Sequence, residues 1–407
     1  MNKGIMLNID STHFWHSRWQ WGIYPDEAEL RRFIAQYAGT QVTDILIDAG
    51  GRLATYPAKS RTSFLDKYHQ TVEDGEPVNY KGTYVDLHYE AWEKQGLDPV
   101  ALWIEEGRKA GIRMWTSFRM NDCHCCMDHR RHLLHPDFYH EHPEYRVVRH
   151  RTKDGYYDCN LDYSFPEVRQ WFLDFIDETL ERYAPDGIEL DWQREIYCFA
   201  PGTESVEIMN AFMRQVKALV ASYEAKLGRK ISICARTLAD PADSLEQGFD
   251  VAQWVDEGLV DVIVPTARWS STDNDMPLGL WKRLIRGSGV KMAPGIELLI
   301  RARENAPYLC TQLEHVNAAA AQYFTFGADK IYLYNYFDDV PEVERTYWRN
   351  PGAVRYAETQ VMLRTIGDPV AVKAAPRCHM LTYRDQRPSG ARRSTRCPRA
   401  VPRPSAL

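Results

Sequence analysis

Apolar residues along this chain gather into short, nearly continuous runs, and between the runs apolar positions recur with helical spacing. The runs are GIMLNID (Gly4–Asp10), VTDILIDA (Val42–Ala49), IRMWTSF (Ile112–Phe118), GIELD (Gly187–Asp191), KISICA (Lys230–Ala235), VDVIVP (Val260–Pro265), VKMAPGI (Val290–Ile296) and KIYLYNY (Lys330–Tyr336). Such runs predict strands buried on both faces, as in a parallel sheet. Helices are predicted from Pro25 to about Tyr37, Asp98 to Lys109, Phe165 to Tyr183, Glu204 to Leu227, Val251 to Glu257, Leu278 to Arg286, Thr311 to Phe326 and Pro351 to Arg364. Asp98-Pro99 shows the signals at work, an Asp cap with Pro at the first helical position, and Gly111 stops that helix. Eight strand–helix units within residues 1–370 predict an α/β fold, a (β/α)8 barrel. An open doubly wound sheet would carry a Gly-rich phosphate turn after its first strand. Asp10-Ser-Thr-His-Phe-Trp15 is not one.

Three segments break the alternation. Residues 12–24 read as a loop rich in aromatics, with His13, Trp15, His16, Trp19 and Trp21. Long insertions are expected after the second and third strands, over 52–96 and 123–164. The end of the chain, 371–407, changes character: from Pro376 onward it has eight Arg and one acid among many Pro and Ser. That composition cannot bury a core and predicts a disordered basic tail.

Composition narrows the classes of function. A net charge of -6 gives no electrostatic reason to bind nucleic acid or an anionic membrane. The start, MNKGIMLNID, enters a strand at once and does not read as a secretory signal, and no run of 18 apolar residues occurs. Nine Cys in such a chain suit reduced thiols, so a cytoplasmic location is expected. Twelve Trp and 23 Tyr are more than a core of this size requires, and some could serve as platforms for sugar rings.

Acids fall at or just past the predicted strand ends: Asp10, Asp48, Asp122, Asp191, Glu297 and Asp338. In a barrel these ends converge on one mouth, where the chemistry of the fold sits. Breaking a glycosidic bond needs two carboxyl groups, one to protonate the leaving oxygen and one to attack the sugar or activate water. Asp191 and Glu297, after the fourth and seventh strands, are the first pair. Glu195 and Asp122 are competing proton donors. Glu189 shares a strand face with Asp191 and would perturb it. Arg119, Arg236 and Arg268 follow the third, fifth and sixth strands and would hold an acidic sugar or neutralise the carboxylates, the second reading being preferred. Asn121, His124, Trp192, Trp269, Asn335 and Tyr336 complete the expected substrate contacts. The stretch Cys123-His-Cys-Cys-Met-Asp-His129 has C-x2-C spacing but lacks a second well-spaced pair, so neither metal nor cofactor is expected.

Asp186-Gly-Ile-Glu-Leu-Asp-Trp192, Arg119-Met-Asn-Asp122 and Phe138-Tyr-His-Glu-His-Pro-Glu-Tyr145 together resemble the glycoside-hydrolase-like barrel proteins described as family 10-like glycosyl hydrolases. The resemblance spans most of residues 4–365 and implies a barrel that acts on a glycan. The fourth strand is also similar to family 18 chitinases, which carry Asp-Gly-x-Asp-x-Asp-x-Glu with the last Glu as acid. Here Glu189 replaces the middle Asp, and Gln193 stands where the acid would be. Leu190-Asp191-Trp192 resembles the α-galactosidase-like clan, which implies Asp191 as nucleophile with a partner after the sixth strand, Asp273 or Asp275. The expected activity is O-glycosyl hydrolysis of an oligosaccharide or glycoside. The alternatives are a non-catalytic glycan-binding barrel and a metal-dependent lyase or isomerase using His124.

Overall fold

The computed structural model describes residues 2–73, 75–124, 132–147, 159–268, 272–301, 309–335, 356–380 and 382. In chain order the main elements are β1 (Ile5–Ile9), α1 (Ser11–Gln20), α2 (Glu27–Ala35), β2 (Val42–Gly50), α3 (Pro99–Lys109), β3 (Arg113–Arg119), α4 (Pro166–Tyr183) and β4 (Gly187–Asp191). They continue with α5 (Val206–Leu227), β5 (Ser232–Leu238), α6 (Val251–Asp256), β6 (Val262–Thr266), α7 (Leu278–Leu284), β7 in two pieces (Lys291–Met292 and Gly295–Glu297), α8 (Leu313–Thr325) and β8 (Ile331–Tyr334). The helices α9 (Tyr356–Leu363) and α10 (Pro369–Ala374) follow.

All neighbouring barrel strands pair in parallel. The first piece of β7 bonds to β6 and the second bonds to β8, which in turn pairs with β1. The interrupted strand therefore closes the ring, and the fold is the (β/α)8 barrel that the apolar runs predict. Among the described residues no helix is long and apolar enough to cross a membrane.

Strand alternation sorts the apolar residues into two cores. Outward-facing residues such as Ile5, Ile45, Met114, Ile188 and Ile233 pack under the helices. Inward-facing residues form a separate cluster: Met6, Leu46, Trp115, Cys234, Val262, Val264, Ala293, Tyr332 and Tyr334. Trp115 fills the floor of the barrel and donates from its indole nitrogen to Asp44 at 2.9 Å. Gly187 lies in register beside it, and a Cβ there would sit 2.2 Å from the Trp115 ring. The glycine of the Asp186-Gly187 pair is thus required by packing inside the barrel.

The structure corrects three expectations. Residues 11–20 form α1 rather than a loop, because Asp10 caps it through the His13 amide and Phe14 and Trp15 are buried against Phe33, Trp103 and His88. Its aromatic residues are spread around the helix, which hides the helical period. The insertion after β2 is partly helical as well, with Phe64–His69 closed by a Ser63/Asp66 capping box, and Val85–Tyr89. The expected tail does not begin at 371: α10 ends at Ala374, and Pro376, Cys378, Met380 and Thr382 bond to Asn317, Glu314, Asn274 and Thr272. Residues 383–407 lie outside the described set.

Gly187→Ala is expected to destabilise the fold by at least about 2 kcal/mol, because the added methyl overpacks a closed interior. Gly279→Ala in α7, where nothing lies within 4 Å, should shift stability by less than about 1 kcal/mol. Urea denaturation of the two variants would check the contrast.

Candidate active site at the barrel mouth

Backbone register builds the site. Arg119 on β3 is aligned with Asp191 on β4, and Asp191 with Arg236 on β5. Glu297 on β7 is aligned with Tyr334 on β8. One layer at the carboxyl ends of the strands therefore carries alternating cations and carboxylates.

Arg236 is the centre of one half. Its Nη1 donates to both oxygens of Asp191 at 2.8 and 3.1 Å, and its Nη2 donates to Glu297 Oε1 at 3.0 Å. The guanidinium carbon lies 3.6 Å from the centroid of the Tyr334 ring. Asp191 also accepts from the Gln193 amide at 3.1 Å. All four side chains are buried. Burial alone would push the Arg236 guanidinium down, but Asp191, Tyr334, Tyr332 and Glu297 outweigh it and hold it well above its ordinary value. Thr272 accepts from the Glu297 amide and donates back to its carbonyl, at 3.0 and 2.8 Å, which fixes the end of β7.

Arg119 organises the other half. Its guanidinium reaches Asp10 at 2.8 Å, Asp48 at 3.5 Å and Asp122 at 3.7 Å. Asp122 is bonded to His124, whose Nε2 accepts from Arg194 at 2.6 Å. These bonds fit the tautomer with the proton on Nδ1. Burial pushes the Asp122 carboxyl up, but His124, Arg194 and Arg119 hold it well below the usual range. Asp48 behaves in the opposite way. Burial pushes it up to about 7 against the opposing charge of Arg119, with Asp10 and Asp122 adding repulsion. A small cavity opens here, lined by Asp48, Gly51, Arg119, Asp122 and His124.

Glu195 is buried and paired with Arg268, through Nε at 3.2 Å and Nη2 at 3.0 Å. The three arginines expected at the mouth thus all engage carboxylates, the role preferred for them from the sequence. Asp273, the acid after the sixth strand, is buried, and its carboxylate accepts from the Asp275 amide at 2.8 Å. Among the described residues no group of three His, Cys, Asp or Glu side chains is placed to hold a metal.

Other expected contacts are placed elsewhere. Trp192 faces away from the mouth and packs against Phe212, Phe249, Trp254 and Tyr163, because it follows inward-facing Asp191 by one residue. Asn121 is a loop clamp: its amide nitrogen donates to the carbonyls of Leu161 and Tyr197, and its oxygen accepts from the Leu161 amide. Glu189 lies one layer below the mouth, accepting from Asn8 at 2.7 Å, Ser117 at 2.5 Å and Tyr332 at 2.7 Å. Burial, reinforced by Asp191, pushes its carboxyl up to about 7. Asn335 is buried at the end of β8 with a φ of 55°. Trp269, Tyr336, Asp338 and residues 125–131 of the Cys/His cluster lie outside the described residues.

The sequence reading missed Tyr334 and Arg194. Tyr334 has a buried hydroxyl without a hydrogen-bond partner among the described residues, and it feels Arg194, Asp191, Arg119 and Arg236. The alternation Tyr332, Tyr334 on β8 was the signal that could have found it. Arg194 sits in an irregular turn after β4, where no period applies.

No family model matches this sequence, and no curated protein matches it. Among solved structures it is similar to a GH138 enzyme targeting pectin rhamnogalacturonan II, with a TM-score of 0.51 at 10% identity over 91% of this chain. The chain spans 39% of that enzyme's length. It is also similar to the maltogenic α-amylase AmyB from Thermotoga neapolitana, at TM-score 0.41 and 11% identity over 92% of this chain and 78% of that one. A family 18 N-acetylglucosaminidase from Paenibacillus barengoltzii gives TM-score 0.41 and 11% identity over 82% of this chain and 95% of that one. At such identities the first likeness is one of fold, and the fold is the barrel.

The raised Asp48 carboxyl makes stability depend on pH. Its folded value of about 7 lies above the unfolded value of about 3.9, so the folded chain holds this proton more tightly. The stabilisation is complete below about pH 4 and is lost as pH rises through about 7. Asp48→Asn should therefore gain stability relative to the parent at pH 8 compared with pH 4, measured by urea denaturation. An equal offset at both values would contradict the assignment.

Proposed function

We propose that this protein is a glycoside hydrolase whose paired carboxylates are Asp191 and Glu297. The observation that carries the reading is their shared guanidinium: carboxylates from β4 and β7 meet on Arg236 at the mouth of the barrel. One cation faces two carboxylates there, which suits a reaction that develops positive charge on the sugar ring.

Asp191 is the nucleophile in this reading. Arg236 Nη1 and the Gln193 amide orient its carboxylate through three hydrogen bonds. Glu297 is the proton donor to the leaving oxygen and later the base that activates water. Both carboxylates bond to terminal nitrogens of one planar group, which favours a short separation. A separation of about 5 Å accompanies retention, and roughly 6.5–9.5 Å accompanies inversion. Retention of anomeric configuration is the expected outcome. Gln193 cannot donate the proton that family 18 chemistry requires, and its amide nitrogen is already bonded to the Thr266 carbonyl at 2.8 Å. Glu195 and Asp122 are the competing donors; like Glu297 on Arg236, each is paired with a cationic group, Glu195 with Arg268 and Asp122 with Arg119 beside the His124–Arg194 pair.

A panel of aryl glycosides and oligosaccharides tests the assignment. Asp191→Asn should lower kcat at least about a thousandfold on every substrate turned over. Glu297→Gln should lose turnover of oligosaccharides yet keep most of kcat/KM on aryl glycosides with acidic leaving groups, which need no protonation, while kcat falls because water attack has lost its base. Proton NMR of the first-formed sugar should show retained configuration. Full activity of the Asp191 variant would remove the proposed mechanism.

A further inference from the structure

Exposed aromatic residues are unevenly placed on this molecule. Trp15, Trp103, Trp115, Trp192, Trp254 and Trp281 are fully buried. Trp19, Trp21 and Tyr24 are instead 36%, 37% and 62% exposed, and they fall in one short stretch at the end of α1. No large aliphatic side chain between residues 12 and 24 is exposed with them, whereas Gln20 and Gly22 are.

This stretch is continuous with the candidate active site. Asp10 caps α1 and binds Arg119. His13, His16 and Trp19 follow at spacings of three, so they share a face of the helix. The charge of His13 acts on Asp10, and His16 feels both His13 and Asp10. The His16 ring lies 6.1 Å from the Trp19 ring and 5.8 Å from the Tyr84 ring. At 1.5 Å per residue, Trp19 lies about 13 Å along the helix from Asp10. Polar and aromatic groups thus alternate along α1, from the Asp10 end that binds Arg119 to the exposed Trp19.

The rim segment is held in place. Arg18 is buried, donates to Glu29 at 3.1 Å and stacks over Phe14 at 4.1 Å. The Trp21 amide donates to the Ser17 carbonyl at 3.1 Å, and the Ile23 amide to the Arg18 carbonyl at 2.8 Å. A preformed platform loses little entropy when a ligand settles on it.

We propose that Trp19, Trp21 and Tyr24, with His16, form a distal platform for an oligosaccharide chain whose reacting bond lies at Asp191. The inference rests on the glycosidase reading and deepens it: the substrate is an oligomer that extends several sugar units from the cleaved bond. Sugar rings present an apolar face of C–H groups edged by hydroxyls. Aromatic faces interleaved with imidazole and amide groups match that pattern. Ile23, the large aliphatic residue of the stretch, is only partly exposed, so the exposed face is aromatic and polar.

The test compares the parent with a Trp19→Ala/Trp21→Ala double variant on aryl monosaccharides and on oligosaccharides of increasing length. In the parent, KM should fall with chain length. In the variant, KM on the longer substrates should rise about tenfold, with kcat and the aryl monosaccharide KM unchanged. The same length dependence in both proteins, or none in the parent, overturns the proposal. Affinity electrophoresis in soluble polysaccharides provides a readout that needs no turnover. Retardation lost in the variant supports the platform even if no glycoside is hydrolysed, a result that would sink only the catalytic reading. Unchanged or absent retardation overturns the platform. So does parent self-association in light scattering that the double substitution abolishes without any glycan binding.

Discussion

A buried guanidinium that carries two carboxylates is the interaction on which the mouth of this barrel depends. Arg236 holds Asp191 and Glu297 while its face rests on Tyr334. Taking these charges out of water is costly, and the arrangement stands because the pairing is close and directional. Lysine could not replace this arginine, since a point charge has no fork to engage two acids from adjacent nitrogens. Removing Arg236 would leave two buried carboxylates without their cation, a change that typically costs about 3–5 kcal/mol.

The same logic repeats on the other side. Arg119 holds Asp10, Asp48 and Asp122, and Arg194 reaches the same group through His124. Strand register explains why the two clusters interleave: Arg119, Asp191 and Arg236 stand side by side on consecutive strands. Asp48 and Asp191 therefore have a cation on an adjacent strand, while Asp10 and Glu297 reach Arg119 and Arg236 across one intervening strand. The neutral-leaning carboxyls, Asp48 and Glu189, are those that the available cations serve least. Unequal neighbours thus divide chemically similar acids into different states, which acid–base catalysis requires.

The barrel was legible because each strand is a continuous apolar run and each long helix has clear stop and start residues. Asp191, Glu297 and Arg236 were legible for the same reason: they terminate those runs, and the ends of barrel strands converge. Tyr334 was passed over because it sits inside a run, where an inward tyrosine looks like core. Trp192 was misjudged because a one-residue step on a strand reverses direction, and adjacency to Asp191 says nothing about a shared face. Asn121 was read as a substrate contact because its backbone-clamping role depends on Leu161 and Tyr197, both distant in sequence. Helix α1 escaped because its aromatic residues serve two environments, core for Phe14 and Trp15 and solvent for Trp19 and Trp21. A single apolar stripe, the signal for a helix, is absent in such a segment.

The last described residues have a bearing on the site that their composition hides. Met380 accepts from Asn274, and Thr382 donates to the carbonyl of Thr272, whose own hydroxyl braces the backbone of Glu297. The chain's closing strap is therefore one residue removed from a proposed catalytic carboxylate. A protein trimmed at residue 370, where the sequence alone suggests the barrel ends, would keep every strand and Thr272 itself, yet lose the strap that holds the backbone of Thr272 and Asn274 behind Glu297. Its folding and its chemistry would then report different lengths for the same domain.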